Sequence, residues 1–136
     1  MYERKLRILI VEDEPVFAKA LERLFAGSRF DAVVVHDPEL ALHRALQEIF
    51  DLIISDFRLP HMDGLVVLVG LSQAGQKVPF ILLTAYYSET VESAAKALGA
   101  AAVLEKPVEL EVLKNHCEKA CRGITAAKSW AVDEYR

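Results

Sequence analysis

The sequence predicts an α/β fold: a doubly wound, five-stranded parallel sheet with helices on both faces, arranged as a three-layer sandwich. Short apolar runs alternate five times with longer segments whose apolar residues repeat at helical spacing. The short runs are apolar throughout, which is typical of strands that are buried on both faces of a sheet. Parallel strands joined by helices require right-handed crossovers, and these distribute the helices over both sides of the sheet.

The first part of the chain predicts two strand–helix units. Residues 6–11 form an apolar run typical of a buried strand, and Pro15 is suited to open the helix that follows. Residues 32–35 predict the second strand. Asp37 is a good N-cap for the second helix, and Pro38 in the first turn favours the same start.

The rest of the chain predicts three more strands and three more helices. Residues 52–55 and 80–83 form short apolar runs that predict the third and fourth strands. Residues 64–74 predict a helix between them, although Gly70 lowers its helical propensity. The remaining elements are a helix at residues 88–98, a strand at residues 101–104 and a last helix marked by Leu110, Leu113, Cys117 and Ala120.

Composition indicates a single globular domain and disfavours several classes of protein. Of the 136 residues, 53% are hydrophobic, which is enough to form a core. A formal net charge of −4 disfavours direct binding of nucleic acid, which usually needs a basic surface. No apolar run is as long as a membrane span and no signal peptide is recognisable, so we expect a cytoplasmic protein without membrane contact.

The C-terminal part of the chain carries two cysteines and then loses its periodicity. Cys117 and Cys121 lie four residues apart, and we expect them to pack as small apolar residues against the sheet. Helical spacing of apolar residues fades after Cys121. We therefore predict a domain at residues 1–121, followed at residues 122–136 by a tail or the start of a linker.

Ionisable and hydroxyl side chains follow four of the five predicted strands: Glu12 and Asp13, then Asp56, Thr84 and Lys106. The carboxyl ends of parallel strands meet at one edge of the sheet, so these side chains can converge. Three carboxylates close together repel one another and favour a hard cation such as Mg²⁺, which needs only a few protein oxygens. A carboxylate can attack phosphorus, while a metal ion and a lysine stabilise the transferred phosphoryl group.

These residues lie in segments that resemble the receiver domain of two-component response regulators, the CheY-like family. The resemblance covers roughly residues 5–121 and keeps the segments in the order of the family. The fold that it implies is flavodoxin-like. The segments are Ile-Leu-Ile-Val-Glu-Asp-Glu at residues 8–14, the Asp56 stretch through Pro60 and Met62-Asp63-Gly64, Leu83-Thr84-Ala85, and Lys106-Pro107.

The resemblance implies a chemistry and a set of partners. Asp56 would accept a phosphoryl group from the phosphohistidine of a sensor histidine kinase or a phosphotransfer protein. Mg²⁺ would be bound by Asp13, Asp56 and the backbone carbonyl of Arg58, with Glu12 acting through water. Phosphorylation would switch a surface that binds a downstream protein target or a fused output domain, so the protein would be a signalling switch and not an enzyme.

The resemblance also assigns the switch residues, and here the chain departs from the family. Thr84 would be the switch hydroxyl, and Lys106 would be the cation that pairs with the phosphoryl group. Family members usually carry Tyr or Phe three residues before the lysine, where this chain has Val103. A stiff β-branched side chain cannot swing between buried and exposed positions as a ring can. The aromatic half of the usual switch is therefore missing from this position.

Some of these residues also have purely structural interpretations. Glu12 and Asp13 are suited to cap the first helix and to interact with its dipole, in addition to any role in metal binding. Asp63 and Gly64 predict a turn and nothing more.

Two other functions stay open at this point. A phosphatase of the haloacid dehalogenase type also uses an Asp nucleophile on an α/β sheet, but it needs an acid two residues later, where this chain has Arg58. A receiver-fold binding module that acts without phosphorylation is compatible with Val103. The sequence also leaves open whether the chain acts alone or within a longer regulator, and whether it forms a homodimer.

Overall fold

The computed structural model describes residues 4–59 and 62–123. Pro60, His61 and nearly all of the predicted tail at residues 122–136 therefore lie outside the described residues. The helices and strands, in chain order, are β1 (Leu6–Val11), α1 (Pro15–Phe25), β2 (Phe30–Val35), α2 (Pro38–Gln47), β3 (Leu52–Asp56), β4 (Arg58–Leu59), β5 (Met62–Asp63), α3 (Leu65–Gln73), β6 (Phe80–Thr84), α4 (Glu89–Ala97), β7 (Ala102–Glu105) and α5 (Leu110–Ala120).

The central sheet has five strands in the order β2-β1-β3-β6-β7. Every neighbouring pair in this sheet is parallel. The chain therefore winds outward from β1 in both directions, which confirms the predicted doubly wound, five-stranded α/β fold. In such a sheet the direction of winding reverses between β1 and β3, and the crevice beyond their carboxyl ends is where functional sites usually lie.

Helices cover both faces of the sheet, as the continuous apolar strands predicted. On one face, side chains of α2, α3 and α4 pack with the strand residues that point toward them. On the other face, α1 and α5 do the same, and Phe25 and Phe30 meet edge to face with their ring centroids 5.5 Å apart. The inner strands β3 and β6 are largely apolar because they are buried on both faces, and every residue in them is buried.

The helix α3 begins directly after the small hairpin formed by β4 and β5, which the sequence did not predict. These two strands pair antiparallel through Arg58 opposite Asp63 and Leu59 opposite Met62. The helix forms in spite of Gly70 because α3 packs closely on α2 there: a Cβ on Gly70 would lie 2.6 Å from Cδ2 of Leu42. At Gly70, which costs helical propensity, α3 therefore lies against the flexible end of the Leu42 side chain on α2.

At the amino end of β3, Asp51 joins this strand to the N-terminal segment of the chain. Its carboxylate accepts two hydrogen bonds from the Arg4 guanidinium, both at 2.9 Å, and a third from the backbone N–H of Arg7 at 2.8 Å. Asp51 is only 6% exposed. This network stabilises the edge of the sheet opposite Asp56. Among the described residues, no helix is long and apolar enough to cross a membrane.

Candidate functional site

Three carboxylates come together at the carboxyl edge of the central sheet. Glu12 and Asp13 follow β1, and Asp56 is the last residue of the neighbouring strand β3. One oxygen atom from each of the three lies within 4.8 Å of the others. Glu12 is 1% exposed and Asp56 is 7% exposed, whereas Asp13 is open to solvent. The result is an all-oxygen set of donors with one open side, which suits a hard cation such as Mg²⁺.

Lys106 brings a positive charge into this acid pocket from the loop after β7. Its Nζ atom lies 2.9 Å from Oδ1 of Asp56 and 3.3 Å from Oε1 of Glu12. Burial opposes the charged form of Lys106, but the hydrogen bond to Asp56 and the charges of both carboxylates outweigh it and raise the pKa of the ammonium. The side chain is 22% exposed, so the ammonium is partly shielded from water, and its carboxylate partners keep it charged.

Glu12 is the most strongly perturbed acid of the pocket. Burial raises its pKa to about 8, and the hydrogen bond and negative charge of Asp56 act in the same direction. The backbone N–H of Glu14 donates to Glu12 Oε2 at 3.0 Å, and the backbone carbonyl of Glu12 is 2.8 Å from Nδ1 of His36. Without a cation, the pocket therefore holds a proton on Glu12 near neutral pH, and a metal ion would displace it.

The helix cap next to the pocket differs from the prediction. Glu14, and not Glu12 or Asp13, caps α1: its carboxylate accepts hydrogen bonds from the backbone N–H groups of Val16 and Phe17 at 3.1 and 2.7 Å. The expectation that Glu12 and Asp13 cap this helix is wrong. Because the Glu12 carboxylate contacts Lys106 and the N–H of Glu14, it faces into the pocket and cannot also serve the helix end.

The backbone around Asp56 is packed so closely that it requires a glycine nearby. A Cβ on Gly64 would lie 2.1 Å from the carbonyl oxygen of Asp56 and 2.8 Å from Oγ of Ser55. The N–H of Gly64 donates to the carbonyl of Phe57 at 2.6 Å, and Ser55 Oγ donates to the carbonyl of Asp56 at 2.9 Å. Asp63 forms the predicted turn by accepting from Leu65 N–H. Gly64 therefore has a role beyond the predicted turn, because its lack of a side chain allows its backbone to lie against the carbonyl of Asp56.

Thr84 ends β6, the strand next to β3, and is 2% exposed. Its Oγ1 accepts a hydrogen bond from the backbone N–H of Tyr86 at 2.8 Å. Its backbone carbonyl accepts one from the N–H of Lys106 at 2.7 Å. The hydroxyl proton of Thr84 thus stays available for an acceptor while its oxygen is tied to the next loop. A backbone hydrogen bond therefore joins Thr84 to Lys106.

Two aromatic contacts at the site could not be read from the sequence. The guanidinium of Arg58 lies 4.2 Å from the centre of the Tyr86 ring, which joins the hairpin after Asp56 to the loop after Thr84. The Nζ of Lys106 lies 4.5 Å from the centre of the Phe17 ring on α1. Both pairs join residues that are far apart in the chain, and no local pattern reveals them. The backbone carbonyl of Arg58 as a metal ligand stays a prediction.

Val103, which stands where the family usually has an aromatic ring, is part of the core. It is 8% exposed and packs in the cluster that contains Ala95, Ala100 and its sheet neighbour Leu82. Side chains in such a cluster are held by close packing, and a valine has a single strongly preferred rotamer in many settings. Val103 is therefore a fixed core residue.

Cys117 and Cys121 lie away from the acid pocket. Both thiols are free and fully buried, and Cys121 Sγ donates a weak hydrogen bond to the carbonyl of Asp51, at the opposite end of β3 from Asp56. Burial raises the pKa of Cys117 to about 12 and that of Cys121 to about 11. These thiols pack as small apolar groups, as the sequence predicted.

Comparison with known proteins agrees with the fold. The profile of the response regulator receiver domain matches residues 8–118. The transcriptional regulatory protein ZraR of Escherichia coli (strain K12) is 31% identical over 122 residues, which are 88% of this chain and 27% of that protein. The chain therefore spans about a quarter of the length of this relative.

Two solved structures have the same architecture. The non-phosphorylated receiver domain of HemR from Leptospira biflexa is similar with a TM-score of 0.81 and 25% identity, covering 87% of this chain and 95% of that one. The chemotaxis protein CheY4 from Vibrio cholerae gives a TM-score of 0.78 and 26% identity, covering 85% and 98%.

The matched range contains all five side chains that the sequence singled out at the strand ends: Glu12, Asp13, Asp56, Thr84 and Lys106. It also covers all five strands of the central sheet, apart from the first two residues of β1. The membership of the receiver domain family that four short segments predicted is confirmed by this match. The chain belongs to the response regulator receiver domain family of two-component signalling proteins.

Proposed function

We propose that Asp56 is a phosphoacceptor and that its phosphorylation switches a surface of this domain. The observation that carries the proposal is the ion pair between Lys106 and Asp56, with Nζ and Oδ1 2.9 Å apart beside two further carboxylates. A structural salt bridge needs one acid, whereas Lys106 contacts two carboxyl groups here and a third, that of Asp13, lies beside them. Bringing three acids this close together is costly unless a cation or a chemical reaction uses them.

The donor set fits Mg²⁺. Asp13, Asp56 and Glu12 supply hard carboxylate oxygens from three positions, and Asp13 faces solvent, which leaves room for coordinated water. The backbone carbonyl of Arg58 completes the proposed set, with Glu12 acting through water. When bound, the ion would neutralise charge on the transferred phosphoryl group and on the attacking carboxylate.

The proposed reaction uses the side chains of the pocket in distinct roles. An oxygen of Asp56 attacks phosphorus, the phosphorus–nitrogen bond of a donor phosphohistidine breaks, and the electron pair leaves with the imidazole. Lys106 pairs with the negative charge that the phosphoryl group brings. Thr84 donates its hydroxyl proton to a phosphoryl oxygen, since its own oxygen already accepts from Tyr86 N–H.

The output of the switch is a movement of the segment between Thr84 and α4. Because Thr84 Oγ1 holds the backbone of Tyr86, a change of the Thr84 rotamer shifts the start of this loop. Val103 is fixed in the core and does not take part. The switched surface therefore consists of this loop with α4, β7 and α5, and it would bind a downstream target or a fused output domain.

We propose a cytoplasmic setting in which a sensor histidine kinase or a phosphotransfer protein supplies the phosphoryl group. The receiver would comprise residues 1–121, and residues 122–136 would be a tail or a linker to an output domain. The domain would act as a signalling switch without turnover of a substrate of its own.

Intact mass measurement after incubation with Mg²⁺ and a small phosphodonor tests the site. We expect the wild-type protein and Asp63→Asn to gain one phosphoryl group and Asp56→Asn to gain none. Asp63→Asn is a matched control because it changes an acid of the same loop and keeps the oxygen that accepts from Leu65 N–H. A labelled Asp56→Asn variant, or an unlabelled wild-type protein, would falsify the assignment.

A second function, a binding module that acts without phosphorylation, is favoured by one observation, the core packing of Val103. Under this alternative, the affinity for the downstream partner is the same in wild-type protein, Asp56→Asn and phosphorylated protein. Our proposal expects the affinity to change with phosphorylation of the wild-type protein and not to change in Asp56→Asn.

A further inference from the structure

The ammonium of Lys106 has three partners, and one of them carries no charge. On one side lie the carboxylates of Asp56 and Glu12, at 2.9 and 3.3 Å. The face of the Phe17 ring supplies the third contact, with its centre 4.5 Å from Nζ. A lysine over an aromatic face at this distance is attracted by the negative potential of the ring. The attraction is strengthened when water is excluded, and the Lys106 side chain is 22% exposed.

The position of Phe17 is supported by contacts other than the one with Lys106. Its backbone N–H donates to Glu14 Oε2 at 2.7 Å in the cap of α1. Its partly buried side chain packs against the cluster that α1 and α5 form with the sheet. These contacts hold the ring in place independently of Lys106. A preformed partner lowers the entropic cost of ordering the flexible lysine side chain.

The carboxylate partners of Lys106 change during the proposed reaction, whereas the ring does not. A divalent cation would compete with the lysine for Asp56 and Glu12, and a phosphoryl group would remove the charge of the bonded Asp56 oxygen. The Phe17 ring is neutral, so neither event weakens it as a partner. We propose that Phe17 is a positioning residue that keeps the Lys106 ammonium at the pocket throughout the phosphorylation cycle. Its consequence for phosphorylation rests on the proposed function of Asp56.

The position of Lys106 can be measured without any phosphorylation. An amine-reactive reagent at limiting concentration, with quantification by mass spectrometry, reports how accessible each lysine is. In Phe17→Leu, which removes the π face but stays apolar, we expect Lys106 to be labelled about threefold to tenfold faster. Lys19 on the same helix is exposed and serves as the internal reference, whose rate should not change. In Phe17→Tyr, which keeps the ring, Lys106 should be labelled at the wild-type rate.

A graded series separates the electrostatics of the ring from its bulk. Non-natural phenylalanines with successive fluorine atoms at Phe17 weaken the negative potential on the face of the ring and keep its shape nearly constant. We expect the labelling of Lys106 to rise steadily with the number of fluorine atoms. The inference would be overturned if the labelling rate of Lys106 did not change with fluorination, or if it were equal in Phe17→Leu and wild-type protein. The fluorinated variants keep the test decisive if Phe17→Leu fails to fold.

The phosphorylation rate then distinguishes failure of this inference from failure of the proposed function. At saturating Mg²⁺ and small phosphodonor, we expect Phe17→Leu to be phosphorylated about threefold to tenfold more slowly than wild type, and Phe17→Tyr at the wild-type rate. If wild-type protein is never phosphorylated, the proposed function fails, while the labelling series still decides the role of Phe17. If wild type and Phe17→Leu are phosphorylated at equal rates, the inference fails and the proposed function stands.

Discussion

Replacing Gly64 with alanine is expected to destabilise the protein, although the same change at an unhindered helical position usually stabilises. Gly64 has φ −65° and ψ −18°, a conformation that alanine adopts without strain. By backbone entropy alone, Gly64→Ala would therefore raise the free energy of unfolding by about 0.4–1 kcal/mol. Steric overlap with neighbouring atoms lowers the free energy of unfolding. The size of this cost decides whether Gly64→Ala stabilises or destabilises the protein.

The new methyl group would lie 2.1 Å from the carbonyl oxygen of Asp56, about 1.3 Å short of the 3.4 Å at which ordinary contact begins. The obstructing atom belongs to the backbone, so no side-chain rotation relieves the overlap. Forcing extra volume into a packed site costs about 1–3 kcal/mol, and backbone obstruction puts this case at the upper end. Combining the two effects, we expect a net loss of about 2 kcal/mol in the free energy of unfolding.

Urea denaturation of metal-free protein measures this loss as a lower midpoint at constant slope. Gly70→Ala is the matched control, because its methyl group would meet only the flexible end of the Leu42 side chain, at 2.6 Å. For the control we expect a change close to zero. The same displacement moves the backbone that leads to Arg58, so Gly64→Ala should also bind Mg²⁺ more weakly. A Gly64→Ala protein as stable as wild type would refute the close approach of Gly64 to Asp56.

Three other predictions follow from the electrostatics. In metal-free protein the pKa of Glu12 rises on folding to about 8, so its protonation stabilises the fold below about pH 4.5 and this contribution is lost as pH rises through 8. Glu12→Gln should remove that slope from urea midpoints measured between about pH 5 and about pH 8; an unchanged slope would assign the titration to another group. Burial and raised pKa values make Cys117 and Cys121 unreactive, so a thiol reagent should modify them only at the rate of unfolding, and rapid labelling in native buffer would contradict their packing. Asp51→Asn should lower the free energy of unfolding by about 1–3 kcal/mol, since it weakens the charged contacts to Arg4 at a buried position; thermal denaturation checks this, and a midpoint equal to wild type would count against it.

Much of the architecture could be predicted from the sequence because its determinants are local. Each buried parallel strand is a short apolar run, and Pro15 and Asp37 mark the starts of the first two helices by local backbone chemistry. The grouping of Glu12 and Asp56 could be expected as well. Their grouping follows from one rule, that parallel strands end at the same edge of the sheet.

The features that the sequence did not reveal are one short hairpin and several close approaches between segments of the chain. The hairpin of β4 and β5 consists of two-residue strands, too short for any hydrophobic period to form. Glu14 and Glu12 are both acids beside a helix start, and the structure shows that Glu12 contacts Lys106 in the pocket while Glu14 caps α1.

The sequence by itself determined which chemical groups this protein carries and how its strands and helices follow one another along the chain. Both depend on residues near one another in the chain. Tertiary structure alone decided how those groups are held: that Gly64 must lack a side chain beside Asp56, and that Phe17 lies against Lys106. These are distances between segments up to about ninety residues apart, and packing of the whole core determines them.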